Sequence, residues 1–414
     1  MATQSLDLLI KDPTWNKVAS FSFILFFVFL SDAILSYWIP NFLEQTLNSP
    51  LIMGIILSFS SLVGLSSDLV IPQLIKKITT KQLILGAITI NLLFTVILLQ
   101  TTWFPIIALF LLAMASWGIY YELLSFAQQQ FVADSTPLKL HTATWGLLNS
   151  FKSLAFLLGP IIASILYRQT VSSPLFVAIT FSLISLSLLF ITIRHHRQPL
   201  TIEVAQVSLF SEFRHWVVLF RNIWPIILLS LVVGTLDATI WTIGPIWNQK
   251  LSHLHWLGGR FLSFFILPFL FMGFILTKKP IYQGKKKLAQ ITLLFSGVFL
   301  LALAVSPSVI WQLSIIFLVG VTLSITYPCI DGVYSDLVAR MGRERKHLIG
   351  FSNSSISIAY IIGPAFAGAI TSLVGEQLTF AAVGGLTIVF SGWLLIVTPR
   401  KLKLPQNQIQ NWID

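Results

Sequence analysis

Four acidic residues lie inside long apolar stretches of this sequence, where water cannot easily solvate their charge. They are Asp32, Glu122, Asp237 and Asp331. An ionised side chain in hydrocarbon costs about 3 kcal/mol on insertion scales, so such a residue faces a water-filled cavity or pairs with another group. A carboxylate removed from water also binds a proton more readily. These positions therefore suit groups that take up and release a proton or bind a cation.

Other polar and aromatic side chains share these apolar stretches. Lys152 can act as the counter-charge of the acids, or its long side chain can extend to the membrane surface. Aromatic and polar side chains can contact a ligand by stacking or cation–π contact, or they can simply pack against lipid and neighbouring helices. The candidate cavity contacts are Tyr37, Tyr120, Tyr121, Trp241, Tyr327, Asn149 and Asn353.

The composition indicates what must position these residues. Of 414 residues, 56% are hydrophobic and 10% are charged, against roughly 25% charged in a soluble domain. About 20 apolar residues cross a bilayer as a helix. The sequence therefore predicts an all-α membrane protein. We expect twelve transmembrane helices at 18–39, 51–71, 82–101, 104–128, 143–167, 173–193, 222–247, 257–277, 287–305, 309–332, 348–373 and 377–397.

The same landmarks recur in both halves, at an offset of about 205 residues. Asp32 is followed by Pro40 at the same spacing that separates Asp237 from Pro245. The fifth and eleventh helices also share a pattern of glycine, asparagine, alanine and a Gly-Pro pair. Its members are Gly146, Asn149, Ala155, Gly159 and Pro160 in the first half, and Gly350, Asn353, Ala359, Gly363 and Pro364 in the second.

This repeat predicts two pseudo-symmetric six-helix bundles. The first covers residues 1–193 and the second covers 222–414, and a cytoplasmic linker at 194–221 joins them. Within the linker, residues 207–220 can form an amphipathic helix on the lipid surface.

The basic residues predict the orientation of the helices. With a cytoplasmic N-terminus and alternating helices, 22 lysines and arginines fall on the inner side and 3 on the outer side. Cytoplasmic segments carry such an excess. We therefore expect an integral protein of the plasma membrane (the inner membrane in bacteria) with both termini in the cytoplasm. The net charge of +11 needs no nucleic acid to explain it.

The sequence resembles the major facilitator superfamily over nearly its whole length. Gly64 and Asp68, followed by basic residues, resemble the family's signature after the second helix, although Leu69 stands where a basic residue is usual. The pattern around Gly159 and Pro160 resembles the family's antiporter signature, and it is also consistent with close packing of a bent helix, which is the interpretation we favour. The fourth helix departs from the family, because it lacks the arginine associated with proton coupling.

The resemblance implies a central cavity lined by helices one, four, seven and ten, each of which carries one of the four acids. It also implies that small residues and prolines act in gating. We expect this role for Gly64, Asp68, Gly146, Gly159, Pro160, Gly350, Gly363 and Pro364.

The sequence favours a secondary active transporter that works by alternating access. It contains no Gly-x-x-x-x-Gly-Lys-Ser/Thr loop for nucleotides and no His-Glu-x-x-His or Gly-x-Ser-x-Gly motif, so an integral-membrane enzyme is a remote alternative. The excess of acids favours proton-coupled export of amphipathic or cationic compounds. The alternative is uptake of a neutral nutrient such as a sugar or nucleoside. We expect a monomer whose partners are a small-molecule substrate, a proton and membrane lipids, without nucleic acid, cofactor or metal.

The orientation can be tested by cysteine labelling in a Cys329→Ala background. Cysteines at Asn48 and Gln312 should react with an impermeant maleimide added outside, because both positions are predicted to be extracellular. A cysteine at Gln198, in the basic linker, should not react. Labelling of Gln198 from outside would reverse the orientation.

Overall fold

The structure is a computed structural model that describes residues 13–74, 79–135, 141–192, 209–278, 281, 283–340, 345–399, 402 and 404. These residues contain twelve α-helices and no β-strand. They are α1 (Pro13–Leu47), α2 (Pro50–Leu74), α3 (Thr80–Thr101), α4 (Ile107–Ser135), α5 (His141–Tyr167), α6 (Ser173–Thr192), α7 (Leu209–Leu254), α8 (Phe261–Lys278), α9 (Lys285–Ala302), α10 (Val309–Arg340), α11 (Arg345–Val374) and α12 (Glu376–Val397).

Length and hydropathy make these helices membrane-spanning. Among the described residues, 11 helices are long and apolar enough to cross a bilayer. The remaining helix is α8, and most of it lies in the shorter apolar stretch Gly258–Met272. Backbone groups in hydrocarbon must all be hydrogen-bonded internally, and a helix achieves this within one segment. The predicted all-α fold of twelve transmembrane helices is confirmed, and the chain is an integral membrane protein.

One expected element is different. Residues 209–220 do not form a separate surface helix, because α7 runs without interruption from Leu209 to Leu254 and includes Pro225. The polar end of the predicted linker is therefore the start of a membrane-spanning helix. Residues 193–208 lie outside the described residues, so the linker and the domain boundaries stay predictions.

The chain divides into two compact units. Unit 1 comprises Met1–Phe42 and Ser66–Val204, and unit 2 comprises Leu43–Leu65 and Ala205–Asp414. The first part of α2 thus packs with the second half of the chain. A Cβ added at Gly54 would lie 2.1 Å from the carbonyl oxygen of Pro364, which shows how closely α2 approaches α11.

The repeated motifs meet in the same way within each unit. In unit 1, a Cβ on Gly159 of α5 would lie 2.4 Å from the Cβ of Ala33 on α1. In unit 2, a Cβ on Gly363 of α11 would lie 2.6 Å from the Cβ of Ala238 on α7. In each unit, the glycine of the Gly-Pro motif therefore packs against the alanine that follows the acid on another helix. Small residues allow this approach between membrane helices.

Gln312 is unsuitable for the labelling test proposed above. Its side chain is fully buried, and its amide donates to the carbonyl oxygens of Leu303 at 2.8 Å and Ser306 at 2.6 Å. A cysteine there would be hidden and would remove the hydrogen bonds that Gln312 donates to two carbonyl groups, to which Gln377 also donates. Asn48 is exposed, so it remains suitable for labelling at a position that is predicted to be external.

The close contact between α1 and α5 predicts the effect of Gly159→Ala. The new methyl group would overlap Ala33, and such overpacking costs typically about 1–3 kcal/mol. We expect a lower melting temperature for the purified protein in detergent.

Gly146→Ala is the matched control on the same helix. Beyond the backbone of its own helix, no atom of the described residues lies within 4 Å of the position that its new methyl group would occupy, and alanine favours helices by about 1 kcal/mol over glycine. This substitution should leave the melting temperature unchanged or raise it. Equal melting temperatures for the two variants would contradict the close packing of α5 against α1.

Candidate functional site

Asp32 is the most deeply buried acid among those of unit 1 whose surroundings the structure describes. Its side chain is 0% exposed in the middle of α1. Its carboxylate accepts hydrogen bonds from Trp117 Nε1 at 2.9 Å and from Tyr121 OH at 2.8 Å, both on α4. Hydrogen bonds to an ionised acceptor are roughly twice as strong as neutral ones. Two neutral donors therefore stabilise a charge that has been removed from solvent.

The geometry of α4 explains why both donors reach one carboxylate. Trp117 and Tyr121 are four residues apart, so they lie on the same face of the helix, one turn from each other. The Trp117 ring stacks on Phe94 of α3, with ring centroids 5.5 Å apart and planes 12° from parallel. Tyr121 also hydrogen-bonds Ser36, one turn after Asp32 on α1. The donors are thus held in place from both sides.

Lys152 of α5 is the nearby cation in unit 1. Its side chain is exposed, and Nζ lies 5.7 Å from the ring centroid of Phe29 and 5.9 Å from that of Phe156. A lysine over an aromatic face is stabilised by cation–π attraction. The ammonium also acts electrostatically on Asp32. Lys152 therefore places a positive charge near the carboxylate of Asp32, in addition to the two hydrogen bonds from α4.

Tyr120, the neighbour of Tyr121, has a different environment. It is 0% exposed, and its hydroxyl has no hydrogen-bond partner among the described residues. A buried hydroxyl without a partner is unfavourable by about 1–3 kcal/mol. The Tyr120 hydroxyl is therefore an unused donor and acceptor beside the Asp32 site. The centroid of its ring lies 5.2 Å from that of the Tyr121 ring.

Unit 2 contains a related arrangement around Asp237 on α7. Tyr360 of α11 donates its hydroxyl proton to Asp237 Oδ2. Tyr327 of α10 also hydrogen-bonds this carboxylate. Tyr327 follows Tyr121 by the same offset of about 205 residues that relates Asp237 to Asp32. Each unit therefore pairs an acid of its first helix with a tyrosine of its fourth.

The two sites differ in the helix that carries the Gly-Pro motif. At the offset of about 205 residues, Ile356 of α11 stands where α5 has Lys152, and Tyr360 stands where α5 has Phe156. Unit 1 thus combines its acid with an ammonium group, and unit 2 combines its acid with a second phenol. Asp237 is also half-buried, whereas Asp32 is fully buried. The structure repeats the position of the carboxylate but not its chemical surroundings.

The other predicted polar residues have varied surroundings. Asp331 is exposed on α10, and Glu122 is half-buried on α4. Tyr37 is fully buried, Trp241 is half-buried one turn after Asp237, and Asn149 is exposed one turn before Lys152.

The predicted gating residues are partly described. Gly64, Gly159, Pro160, Gly363 and Pro364 are buried, and Gly146 is exposed. The surroundings of Asp68, Gly350 and Asn353 lie outside the described residues.

Sequence reasoning missed Trp117 and Tyr360 as partners of the acids. The spacing of Trp117 from Tyr121 on α4 is a signal that could have identified it. Tyr360 directly follows Ala359 of the repeated pattern, but its counterpart Phe156 has no hydroxyl, so the repeat does not reveal it.

Comparisons with known proteins agree with this fold. The family model described as "Major Facilitator Superfamily" matches residues 21–343 and 281–412. The staphylopine export protein of Staphylococcus aureus strain Mu50 is 22% identical over 298 residues, which is 68% of this chain and 72% of that protein.

Solved structures are similar over a larger share of the chain. A POT family transporter in complex with a thioalcohol-conjugated peptide has a TM-score of 0.74 at 12% identity, covering 93% of this chain and 96% of that one. The nucleoside transporter NupG has a TM-score of 0.70 at 12% identity, covering 92% and 100%. These likenesses confirm the two-bundle fold.

The hydrogen bond between Tyr121 and Asp32 can be measured with a double-mutant cycle. Tyr121→Phe removes the hydroxyl and keeps the ring, and a bond to a charged group contributes about 1.5–3 kcal/mol. We expect Tyr121→Phe to lower the melting temperature of the parent protein, and to lower it by less when Asp32→Asn is already present. Additive effects of the two substitutions would show that the hydroxyl does not stabilise a charged Asp32.

Proposed function

Since the chain belongs to the Major Facilitator Superfamily, we propose that it is a proton-coupled secondary transporter that exports amphipathic or cationic compounds. In this proposal Asp32 and Asp237 couple proton or cation binding to alternating access. Membership of the family makes the chain a transporter. The direction of transport, the coupling ion and the class of substrate are what we propose.

The observation that carries the proposal is the fully buried carboxylate of Asp32 between two neutral donors. Burial favours the protonated form, whereas the hydrogen bonds from Trp117 and Tyr121 favour the charged form. Opposing influences of this kind keep both protonation states within reach. A small change around the site, such as a movement of α4 relative to α1, then suffices to bind or release the proton.

Lys152 adds a second means of control over the same carboxylate. Its ammonium acts on Asp32 through space, and it lies on α5, the helix that carries Gly159 and Pro160. If α5 bends or shifts during transport, the ammonium moves relative to the carboxylate. This would change the proton affinity of Asp32 without any change in its hydrogen bonds. The fourth helix lacks the arginine usual in the family, and Lys152 supplies a cation from the neighbouring helix.

Asp237 is proposed to serve a different part of the cycle. It is half-buried, two phenols surround it, and Ile356 stands in place of the lysine. An accessible acid beside aromatic rings suits an organic cation, which can pair with the carboxylate and lie over the rings. We therefore assign the proton to Asp32 and substrate contact to Asp237, with Trp241 and Asp331 as further candidate contacts.

Two observations support export. The staphylopine export protein is a distant relative, and the Gly159-Pro160 pattern resembles the family's antiporter signature. Proton-coupled export exchanges the substrate for a proton that moves in the opposite direction. Uptake of a neutral nutrient would instead move both in the same direction, so the direction of the pH gradient distinguishes the two functions.

Transport in proteoliposomes tests the proposal, with radiolabelled tetraphenylphosphonium as the cation and uridine as the neutral solute. With an acidic lumen, the parent protein should accumulate tetraphenylphosphonium, and nigericin should abolish the accumulation. Uridine accumulation from an acidic bath would instead support uptake of a neutral nutrient and overturn export.

The coupling role predicts different losses in the two acid variants. Asp32→Asn should abolish gradient-driven accumulation and retain counterflow, since it removes only the titratable group. Asp237→Asn should weaken counterflow as well, because the proposed substrate contact is lost. Asp414→Asn, which removes an acid outside the family match, is the control and should behave like the parent. Unchanged accumulation in Asp32→Asn, Asp237→Asn and the double variant would exclude proton coupling through these acids.

A further inference from the structure

The hydroxyl of Tyr120 is a buried polar group that the described conformation leaves unsatisfied. The residue is 0% exposed, and the hydroxyl has no hydrogen-bond partner among the described residues. Groups of this kind are uncommon in folded proteins, and each calls for an explanation. The carboxylate of Asp32 acts on Tyr120 electrostatically, so the hydroxyl lies in the field of an acceptor to which a phenol can donate.

The spacing of residues along α4 makes Tyr120 an alternative to Tyr121. Tyr121 lies four residues after Trp117, and Tyr120 lies three residues after it. Side chains at both spacings are neighbours on a helix surface. Trp117 therefore belongs to two pairs of donors, one with Tyr121 and one with Tyr120. The pair with Tyr121 binds the carboxylate of Asp32 in this conformation, through hydrogen bonds of 2.9 Å from Trp117 Nε1 and 2.8 Å from Tyr121 OH.

Tyr121 has a second partner to which it can stay bonded. Its hydroxyl also hydrogen-bonds Ser36, which lies one turn after Asp32 on α1. A rotation of the two tyrosine side chains, or of this part of α4, would leave Tyr121 on Ser36 and bring Tyr120 to the carboxylate. Asp32 would then still have two donors from α4. Neither tyrosine hydroxyl would lack a partner, so the second arrangement satisfies every polar group that the first one does and one more.

We propose that Tyr120 is a positioning residue that replaces Tyr121 as a hydrogen-bond donor to Asp32 in a second conformation of unit 1. The hydroxyl keeps its own proton, and only the acceptor of its hydrogen bond changes. The unsatisfied hydroxyl makes the described conformation less stable and thereby favours the exchange of donors. The inference rests on the proposed function in one respect, namely that the exchange of donors accompanies transport.

The melting temperature of the purified full-length protein in detergent tests the state of the hydroxyl. Tyr120→Phe removes the hydroxyl and keeps the ring, so it should leave the melting temperature unchanged or raise it. Tyr334→Phe is the matched control, because Tyr334 is also buried and its hydroxyl is hydrogen-bonded to Ser230 at 3.1 Å. The control should melt at a lower temperature than the parent. A lower melting temperature for Tyr120→Phe would show that its hydroxyl is already bonded and would overturn the proposal.

The Tyr121→Phe background tests whether Tyr120 reaches Asp32. The carboxylate has lost one donor in this background, so Tyr120 should take its place and its hydroxyl should become stabilising. Adding Tyr120→Phe should therefore lower the melting temperature of the Tyr121→Phe variant, whereas the same substitution does not lower that of the parent. An unchanged or raised melting temperature in both backgrounds would exclude Tyr120 as a donor to Asp32.

Counterflow in proteoliposomes tests whether the exchange of donors accompanies transport, with tetraphenylphosphonium or uridine, whichever the parent protein carries. Tyr120→Phe should lower the maximal rate about tenfold, because the second conformation loses a hydrogen bond to a charged group. The substrate concentration for half-maximal rate should change little. An unchanged maximal rate overturns the proposal, and a raised half-maximal concentration alone would make Tyr120 a substrate contact instead.

The melting temperatures separate this inference from the proposed function, because they require neither a pH gradient nor a substrate. A parent protein that fails to accumulate tetraphenylphosphonium overturns proton-coupled export. The effect of Tyr120→Phe in the two backgrounds still decides whether Tyr120 donates to Asp32.

Discussion

The contact between an alanine and a glycine determines where the carboxylates lie. Apolar side chains gain little by leaving lipid for a helix interface, so membrane helices associate mainly through close packing and hydrogen bonds. Ala33 meets Gly159 in unit 1, and Ala238 meets Gly363 in unit 2. Each alanine directly follows an acid, so the approach that buries the alanine also draws the acid inward. The position of Asp32 and Asp237 thus follows from the small size of their neighbours.

The burial of Asp32 then restricts what can surround it. An isolated charge in a low-dielectric interior is very unfavourable, and it must be hydrogen-bonded, paired or neutralised. Two stiff aromatic donors on one face of α4 meet this requirement without adding a formal charge, and the stacked Phe94 keeps one of them in place. Unit 2 achieves the same result with phenols from two helices, α10 and α11. The two halves therefore repeat the backbone but surround Asp32 and Asp237 with different side chains.

Much of the fold could be predicted from sequence because hydrocarbon imposes a simple rule on helices. Long apolar runs gave twelve spans, and the internal repeat located Asp32 and Asp237 at matched positions. The partners Trp117 and Tyr360 could not be selected in this way, since aromatic residues pack against lipid or protein with the same local pattern. Hydropathy also cannot show that α7 begins as early as Leu209, or that Gln312 turns inward to two carbonyl groups. These features depend on which face of a helix meets which neighbour.

The depth of Asp32 has an electrical consequence. The residue lies near the middle of the span Trp15–Leu47, so a proton that reaches it from either side crosses part of the transmembrane field. One elementary charge that crosses the whole field gains about 2.3 kcal/mol per 100 mV. Occupancy of Asp32 would then depend on voltage as well as on acidity. In the proposed proton-coupled cycle, a membrane potential alone would favour the protonated state of Asp32, and the carrier would respond to the energisation of the bilayer even when the two compartments have the same pH.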